Sequence, residues 1–407
     1  MSKPASALDT IPRALFVAPE APYPAIGGGS LRAASLVEFL ARDHAVHLIL
    51  FREPGAPDPV PSIPAGRVAR VDVIELPYHA KTSAARIARN LSRAVRGVPP
   101  LVDRFAGFKD HLAALLADRV YDVAILDHFW SAPYVEQVRP HAKCILADLT
   151  DVDSAWHESA AAQASFLQAA AHRRFASAAR RLEQRLLPRF DGVLVTSEHD
   201  AERVRPLVSD STIIVYPNAL PEVPAPAREE TNAIAFSGNL EYSPNIEAVR
   251  FFRDRIWPRL RSRPGLKWRI IGKNAHAVRA LVAGDSQIEL TGFVDDAIAA
   301  LATAQVAVVP VLSGSGTRVK ILEAWAAATP VVSTTAGAEG LIISSGEDLV
   351  VADDPREFAT KVSQLLDSPE ERRRIGAQGR RLYEQRYTWQ AAWGCLATVF
   401  ETTRGRQ

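Results

Sequence analysis

Val306-Ala307-Val308-Val309-Pro310 is followed, after Val311-Leu312, by Ser313-Gly314-Ser315-Gly316-Thr317-Arg318-Val319-Lys320-Ile321-Leu322-Glu323-Ala324-Trp325. The first run is apolar on consecutive residues, as a strand buried on both faces of a parallel sheet must be. The small residues after it suit a tight turn, and the turn leads into a helix whose first two turns carry Arg318, Lys320 and Glu323. Strand, turn and helix in that order form one βα unit. A diphosphate could rest on the amides of Gly316 and Thr317 at such a helix start, neutralised by the cations, while Glu323 accepts hydrogen bonds from ribose hydroxyls. An ordinary capped helix with solvated charges is the alternative.

The same unit recurs in both directions. Upstream and downstream of it lie apolar runs at Ala233 to Phe236, Trp268 to Ile271, Ile288 to Leu290, Val331 to Ser333 and Leu349 to Val351. Their starts are far enough apart for crossover helices. Ile246, Val249, Phe252 and Ile256 recur at helical spacing between the first two. Earlier still, Ala14 to Ala18, Val46 to Phe51, Val71 to Leu76, Val123 to Leu126, Cys144 to Ala147 and Val193 to Thr196 repeat the pattern. Pro217, Pro221, Pro224 and Pro226 interrupt it. The expected organisation is therefore α/β: a doubly wound Rossmann-like domain over 1–215, a linker over 216–232, and a second over 233–387. A last helix, about 388–407 with Trp389, Ala392 and Trp393 on one side, would pack back on the first domain. The Ala-rich stretch Ala160 to Ala179 reads as one helix.

Composition narrows the function classes. The chain has 407 residues, 48 basic and 46 acidic, for a net charge of +2. No large field draws it as a whole to nucleic acid. Eight of the 48 cations are Lys, so arginine runs reflect composition as readily as function. Cys144 and Cys395 are far apart, which supports neither a disulfide framework nor a cysteine zinc site and fits a reducing cytoplasm. No apolar run is long enough to span a bilayer. Arg86, Arg89, Arg93 and Arg96, interleaved with Ile87, Leu91 and Val95, form a basic amphipathic stretch. It would be either a solvated face or a peripheral contact with anionic lipid.

Gly316 through Ala324, Pro330-Val331-Val332-Ser333-Thr334 and Gly337-Ala338-Glu339-Gly340-Leu341 resemble the donor-site signature of family-4 retaining glycosyltransferases of GT-B fold. Ser237-Gly238-Asn239, Tyr242 with Pro244-Asn245, Gly272 and Thr291-Gly292-Phe293-Val294 match in order. In the first half, Gly27-Gly28-Gly29 and Asp148 to Ser154 with Trp156 resemble the bacterial branch associated with exopolysaccharide clusters. The resemblance implies two Rossmann-like domains facing across a cleft. It also implies donor contacts at Gly28, Gly29, Ser237, Gly238, Asn239, Thr291, Gly292, Phe293, Ser315, Gly316, Thr317 and Glu323. Many family members carry a glutamate where Ser315 stands, and Arg and Lys where Asn239 and Asn245 stand. Charge at the diphosphate therefore falls to Lys320 and Arg318, with Lys273 a weaker candidate.

Three further residues complete the expectations. His128, after the strand from Val123, is a candidate catalytic-cleft histidine by resemblance, or else a surface histidine. Asp151 and Asp153 would contact acceptor or cap a helix. Two carboxylates are too few for a hard cation, so no metal and no cofactor are expected. The implied activity is retaining transfer of a sugar from a nucleoside diphosphate sugar to a hydroxyl acceptor. The alternatives are a nucleotide-sugar epimerase of the same fold and a catalytically impaired donor-binding subunit. Nothing in the sequence sets the oligomeric state.

Overall fold

A computed structural model describes residues 11–80, 82–208, 212–313 and 318–404 of the protein, with backbone alone at 163 and 398–404. Its chain divides into two compact units, one of Met1–Pro217 with Trp393–Gln407, the other of Asn218–Ala392. Each unit holds one parallel sheet.

In unit 1 the strands are β1 (Arg13–Ala18), β2 (Ala45–Arg52), β3 (Arg70–Glu75), β4 (Tyr121–Asp127), β5 (Ala142–Leu149), β6 (Gly192–Val195) and β7 (Thr212–Val215), in the spatial order β3-β2-β1-β4-β5-β6-β7. Chain order reverses between β1 and β4, so loops leaving their C-terminal ends open at the topological switch point. Leu15, Phe16, Val17, Ile49, Ala124 and Ile125 are fully buried, as their unbroken apolar runs require. The first crossover helix, α1 (Gly28–Leu40), starts directly after Gly27, whose φ of 100° suits glycine. A second helix, α2 (Ser83–Arg96), is capped by Thr82, whose side chain accepts from the Ala85 amide.

The Ala-rich stretch is two helices rather than one, Asp153–Gln163 and Phe166–Leu186, broken at Ala164-Ser165. Strand β7 has no counterpart in the sequence reading, because four residues at a sheet edge give too short a pattern. The proline-marked segment is also divided: Tyr216 and Pro217 belong to unit 1, and Asn218 onward to unit 2. Trp393 of the last helix, Trp389–Arg404, donates to the Ser35 carbonyl at 3.1 Å and lies under Arg42.

Unit 2 contains β8 (Thr231–Ser237), β9 (Lys267–Ile271), β10 (Ile288–Gly292), β11 (Ala304–Val309), β12 (Val331–Ser333) and β13 (Val350–Val351), ordered β10-β9-β8-β11-β12-β13. Its switch point lies between β8 and β11. The loops leaving β8 and its other neighbour β9 cross in near contact: an added Cβ at Gly272 would fall 1.8 Å from the Gly238 carbonyl oxygen. Backbone cannot yield as a side chain does. Gly272→Ala is therefore expected to destabilise unit 2 by about 3 kcal/mol, the upper range for overpacking, measured by urea denaturation. A cost near zero would show that these loops can part.

Candidate functional site

In unit 2 the polar side chains gather at the C-terminal ends of β8 and β11. Glu323 and Lys320 lie on the helix Val319–Ala326, whose opposite side is held in the core by Ile321, Leu322 and Trp325. The Ser237 hydroxyl donates to the Glu323 carboxylate at 3.1 Å, linking the end of β8 to this helix. Lys320 donates to Asn245 Oδ1 at 2.6 Å, and its ammonium lies 5.1 Å from the centre of the Phe236 ring. Asn245 in turn donates to the Asn239 carbonyl at 2.8 Å.

The electrostatics of this cluster are unusual for surface residues. Burial and the neighbouring Arg318 charge lower the Lys320 pKa to about 7, outweighing the opposing effect of Glu323. Burial raises the Glu323 pKa against the Ser237 hydrogen bond and the Lys320 charge. Arg318 is buried and reaches the Ala336 carbonyl at 3.3 Å. Two cations and a carboxylate thus share one partly desolvated site, where an incoming anion would find little competing water.

Other expected donor residues are placed around this cluster. Asn239 is committed locally, its Oδ1 accepting from the Glu241 amide and the Asn274 side chain. Thr291 bonds to the Ile270 and Gly292 carbonyls at the end of β10, and Phe293 beyond it is exposed. Ser315, Gly316 and Thr317 lie outside the described residues.

Unit 1 carries a second polar cluster. Asp127 ends β4 and Asp148 lies near the end of β5, and the two are register partners, both fully buried. Adjacent buried carboxylates need cations. Arg32 of α1 supplies one, pairing with both Asp148 oxygens at 2.6 to 2.9 Å while donating to the Tyr216 carbonyl at 2.5 Å. His128 supplies the other, its Nδ1 3.0 Å from Asp127. Burial alone would lower the His128 pKa, but the Asp127 charge and contact raise it to about 9. The imidazole is therefore cationic at neutral pH.

His128 has φ 58°, a left-handed backbone uncommon outside glycine and characteristic of functional sites. Its Nε2 would lie 3.5 Å from a Cβ added at Gly29, which places the ring against the glycine turn. Gly28 opens α1. On the other side, the His128 and Trp130 ring centres are 4.5 Å apart, and Trp130 donates to Asp153. Burial, Glu183 and Asp151 raise the Asp153 pKa to about 7. Asp153 is not the helix cap: that position is Val152, with no side-chain capping bond. The structure thus brings Gly29, His128 and Asp153 together. The Arg32–Asp148 pair escaped the sequence reading because its two members are 116 residues apart. Among the described residues, no group of three or more His, Cys, Asp or Glu could hold a metal ion.

Residues 231–368 match the family described as glycosyl transferases group 1. This group 1 region coincides with the sheet of unit 2 and carries the Lys320–Glu323 cluster. Over 120 residues the chain is 35% identical to the MMP alpha-(1->4)-mannosyltransferase of Mycolicibacterium hassiacum, covering 28% of this chain and 29% of that one. It is 32% identical over 85 residues to spore coat protein SA of Bacillus subtilis, covering 20% of this chain and 22% of that one. The chain spans less than a third of the length of either relative.

Solved structures extend the likeness to the whole chain at the level of fold. Sucrose-phosphate synthase from Thermosynechococcus elongatus superposes with a TM-score of 0.72 at 17% identity, covering 97% of this chain and all of that one. Anabaena HepE in complex with UDP and glucose gives 0.64 at 12% identity, covering 96% and 99%. The chain has the two-domain α/β architecture of GT-B glycosyltransferases.

Proposed function

We propose that the chain is a retaining, family-4 glycosyltransferase that moves a hexose-type sugar from a nucleoside diphosphate sugar to a hydroxyl acceptor in the cytoplasm. The observation that carries this reading is the Lys320–Arg318–Glu323 cluster, set at the switch point of a group 1 domain. Lys320 and Arg318 would meet the diphosphate, and Glu323 the ribose. The cluster of Gly29, His128 and Asp153 in unit 1 would serve the acceptor and the transferred sugar.

Transfer breaks the bond from the anomeric carbon to the diphosphate oxygen and forms one to the acceptor oxygen. The acceptor proton passes to the departing diphosphate on the same face, which retains configuration without a carboxylate nucleophile. Negative charge grows on the leaving phosphate, where fixed cations act most strongly. The HepE structures hold UDP, or UDP-glucose, so a uridine nucleotide is the first donor to test.

A panel of nucleoside diphosphates, read by thermal unfolding, tests this. A ligand at 100 times its Kd adds about 2.7 kcal/mol to native stability. One nucleotide should raise the Tm, and Lys320→Ala and Glu323→Ala should each abolish the rise. A folded protein that responds to none would overturn the donor site. Binding without turnover would indicate a donor-binding subunit, and donor conversion without acceptor an epimerase.

A further inference from the structure

Helix α2 is amphipathic in the inverted sense. Ile87, Leu91 and Val95 recur every fourth residue and are 66%, 65% and 72% exposed, with exposed Ala84 and Ala88 beside them. Arg89, Arg93 and Arg96 fall on the opposite side, where they are held by the protein. Arg93 and Arg96 pair with Asp103 at 2.8 and 2.9 Å, and Arg89 donates to the Ala80 carbonyl. Soluble helices bury such an apolar stripe. Three aliphatic side chains aligned toward solvent are an unpartnered surface rather than scattered exposure.

A second exposed apolar pair belongs to the same region. Phe166 and Leu167, at the start of the helix Phe166–Leu186, are 82% and 79% exposed. Arg174 of that helix donates to the Ala94 carbonyl of α2, and Gly97 faces Arg181. The two contacts succeed each other in the same direction along both helices. The N-terminal halves, with Ile87 on one and Phe166 on the other, thus run toward the same end.

Charge identifies the occupant. From Tyr78 to Gly97 the sequence has five cations, of which Arg93 and Arg96 share Asp103, and no acidic residue, and from Phe166 to Arg181 four cations and none. The whole chain carries only +2. Arg86 and Arg173 are exposed on the same two helices. A second copy of the chain would face these arginines with their own equivalents in a two-fold contact. A single 14-residue helix face also offers little toward the roughly 1,200 Å² of a stable interface. An anionic bilayer satisfies both features: the aliphatic groups enter the headgroup boundary to about 5–10 Å and the cations meet lipid phosphates.

We propose that the outer face of α2, with Phe166 and Leu167, docks the chain on an anionic lipid surface. Docking is peripheral: among the described residues, no helix is long and apolar enough to cross a membrane. The inference is independent of the reaction assigned above.

Sedimentation with vesicles of phosphatidylcholine, with and without phosphatidylglycerol, tests it on the full chain. The wild type should sediment with the anionic vesicles and largely stay in solution with the neutral ones. The Ile87→Ser, Leu91→Ser, Val95→Ser triple variant, altered only at exposed positions, should keep its Tm and bind at least about tenfold more weakly, given roughly 0.8 kcal/mol for each buried methylene. Arg86→Glu with Arg173→Glu should also release it. Failure to bind anionic vesicles at low salt, or equal binding by the triple variant, overturns the proposal. So does a wild-type dimer in solution that the triple variant dissociates, because the stripe would then belong to a second copy.

Discussion

Replacing Lys320 with glutamine is expected to lower kcat/KM for donor consumption by about 10²- to 10³-fold, the loss typical when one preorganised charge-stabilising group is removed. The effect should fall on both KM and kcat, since the bound donor already carries diphosphate charge and the transition state carries more. Tm should change little, because glutamine can still donate to Asn245. The lysine pKa of about 7 adds a second signature. A diphosphate beside Lys320 favours its charged form, so binding raises this pKa. Below pH 7 the free protein already carries the proton and affinity is level. Above pH 7 binding must take up a proton, and affinity falls by up to about tenfold per pH unit until the bound-state pKa is passed. A nucleoside diphosphate sugar is the right probe, since its esterified phosphates do not titrate there. The glutamine variant should show a flat profile. If it keeps both full activity and the slope, Lys320 only braces Asn245 and Phe236.

Much of the architecture was legible from local sequence, because buried parallel strands must be apolar on both faces. Leu15-Phe16-Val17 and Val306 to Val309 announce themselves without knowledge of their neighbours. The edge strand β7 does not, and neither does the break at Ala164-Ser165, where alanine favours helix on both sides. The Lys320–Glu323 pair was visible because one helix carries both residues. The unit 1 cluster was only half visible. Gly29, His128 and Asp153 could be named singly, but their convergence depends on β1 lying beside β4, and two other strands separate these in the sequence. Arg32 was hidden among forty arginines, with nothing local to mark it. The arginines of α2 show the opposite case. Their helical spacing was plain, yet the side that faces solvent is set by Asp103 and the Ala80 carbonyl, so the apolar residues rather than the cations are outermost.

Arg32→Met should destabilise unit 1 by about 3–5 kcal/mol, the cost of leaving a buried charge without its partner. Both side chains of the Arg32–Asp148 pair are wholly buried. Methionine fills much of the arginine volume, so the loss is electrostatic more than steric. Asp148 would then lie beside Asp127 with only the His128 imidazolium nearby, and it would answer by taking up a proton. Its folded-state pKa, now well above that of the unfolded chain, makes the deficit largest at alkaline pH. As pH falls through that raised value the charge is lost and stability returns, so urea denaturation at pH 8 and pH 5.5 should give a clearly smaller deficit at the lower pH. Asp148→Leu combined with Arg32→Met should recover a large part of the loss, since an apolar pair escapes desolvation altogether. The readout also bears on the site. Arg32 joins α1 to β5 and to the Tyr216 carbonyl, and its guanidinium lies 4.8 Å from the Tyr216 ring, whose hydroxyl meets Ser35 at 2.7 Å. The same helix begins with Gly29 against His128. Loosening it should therefore lower activity in the double variant even where stability is restored, with KM rising more than kcat falls. Full activity in a stable double variant would assign the pair to folding alone.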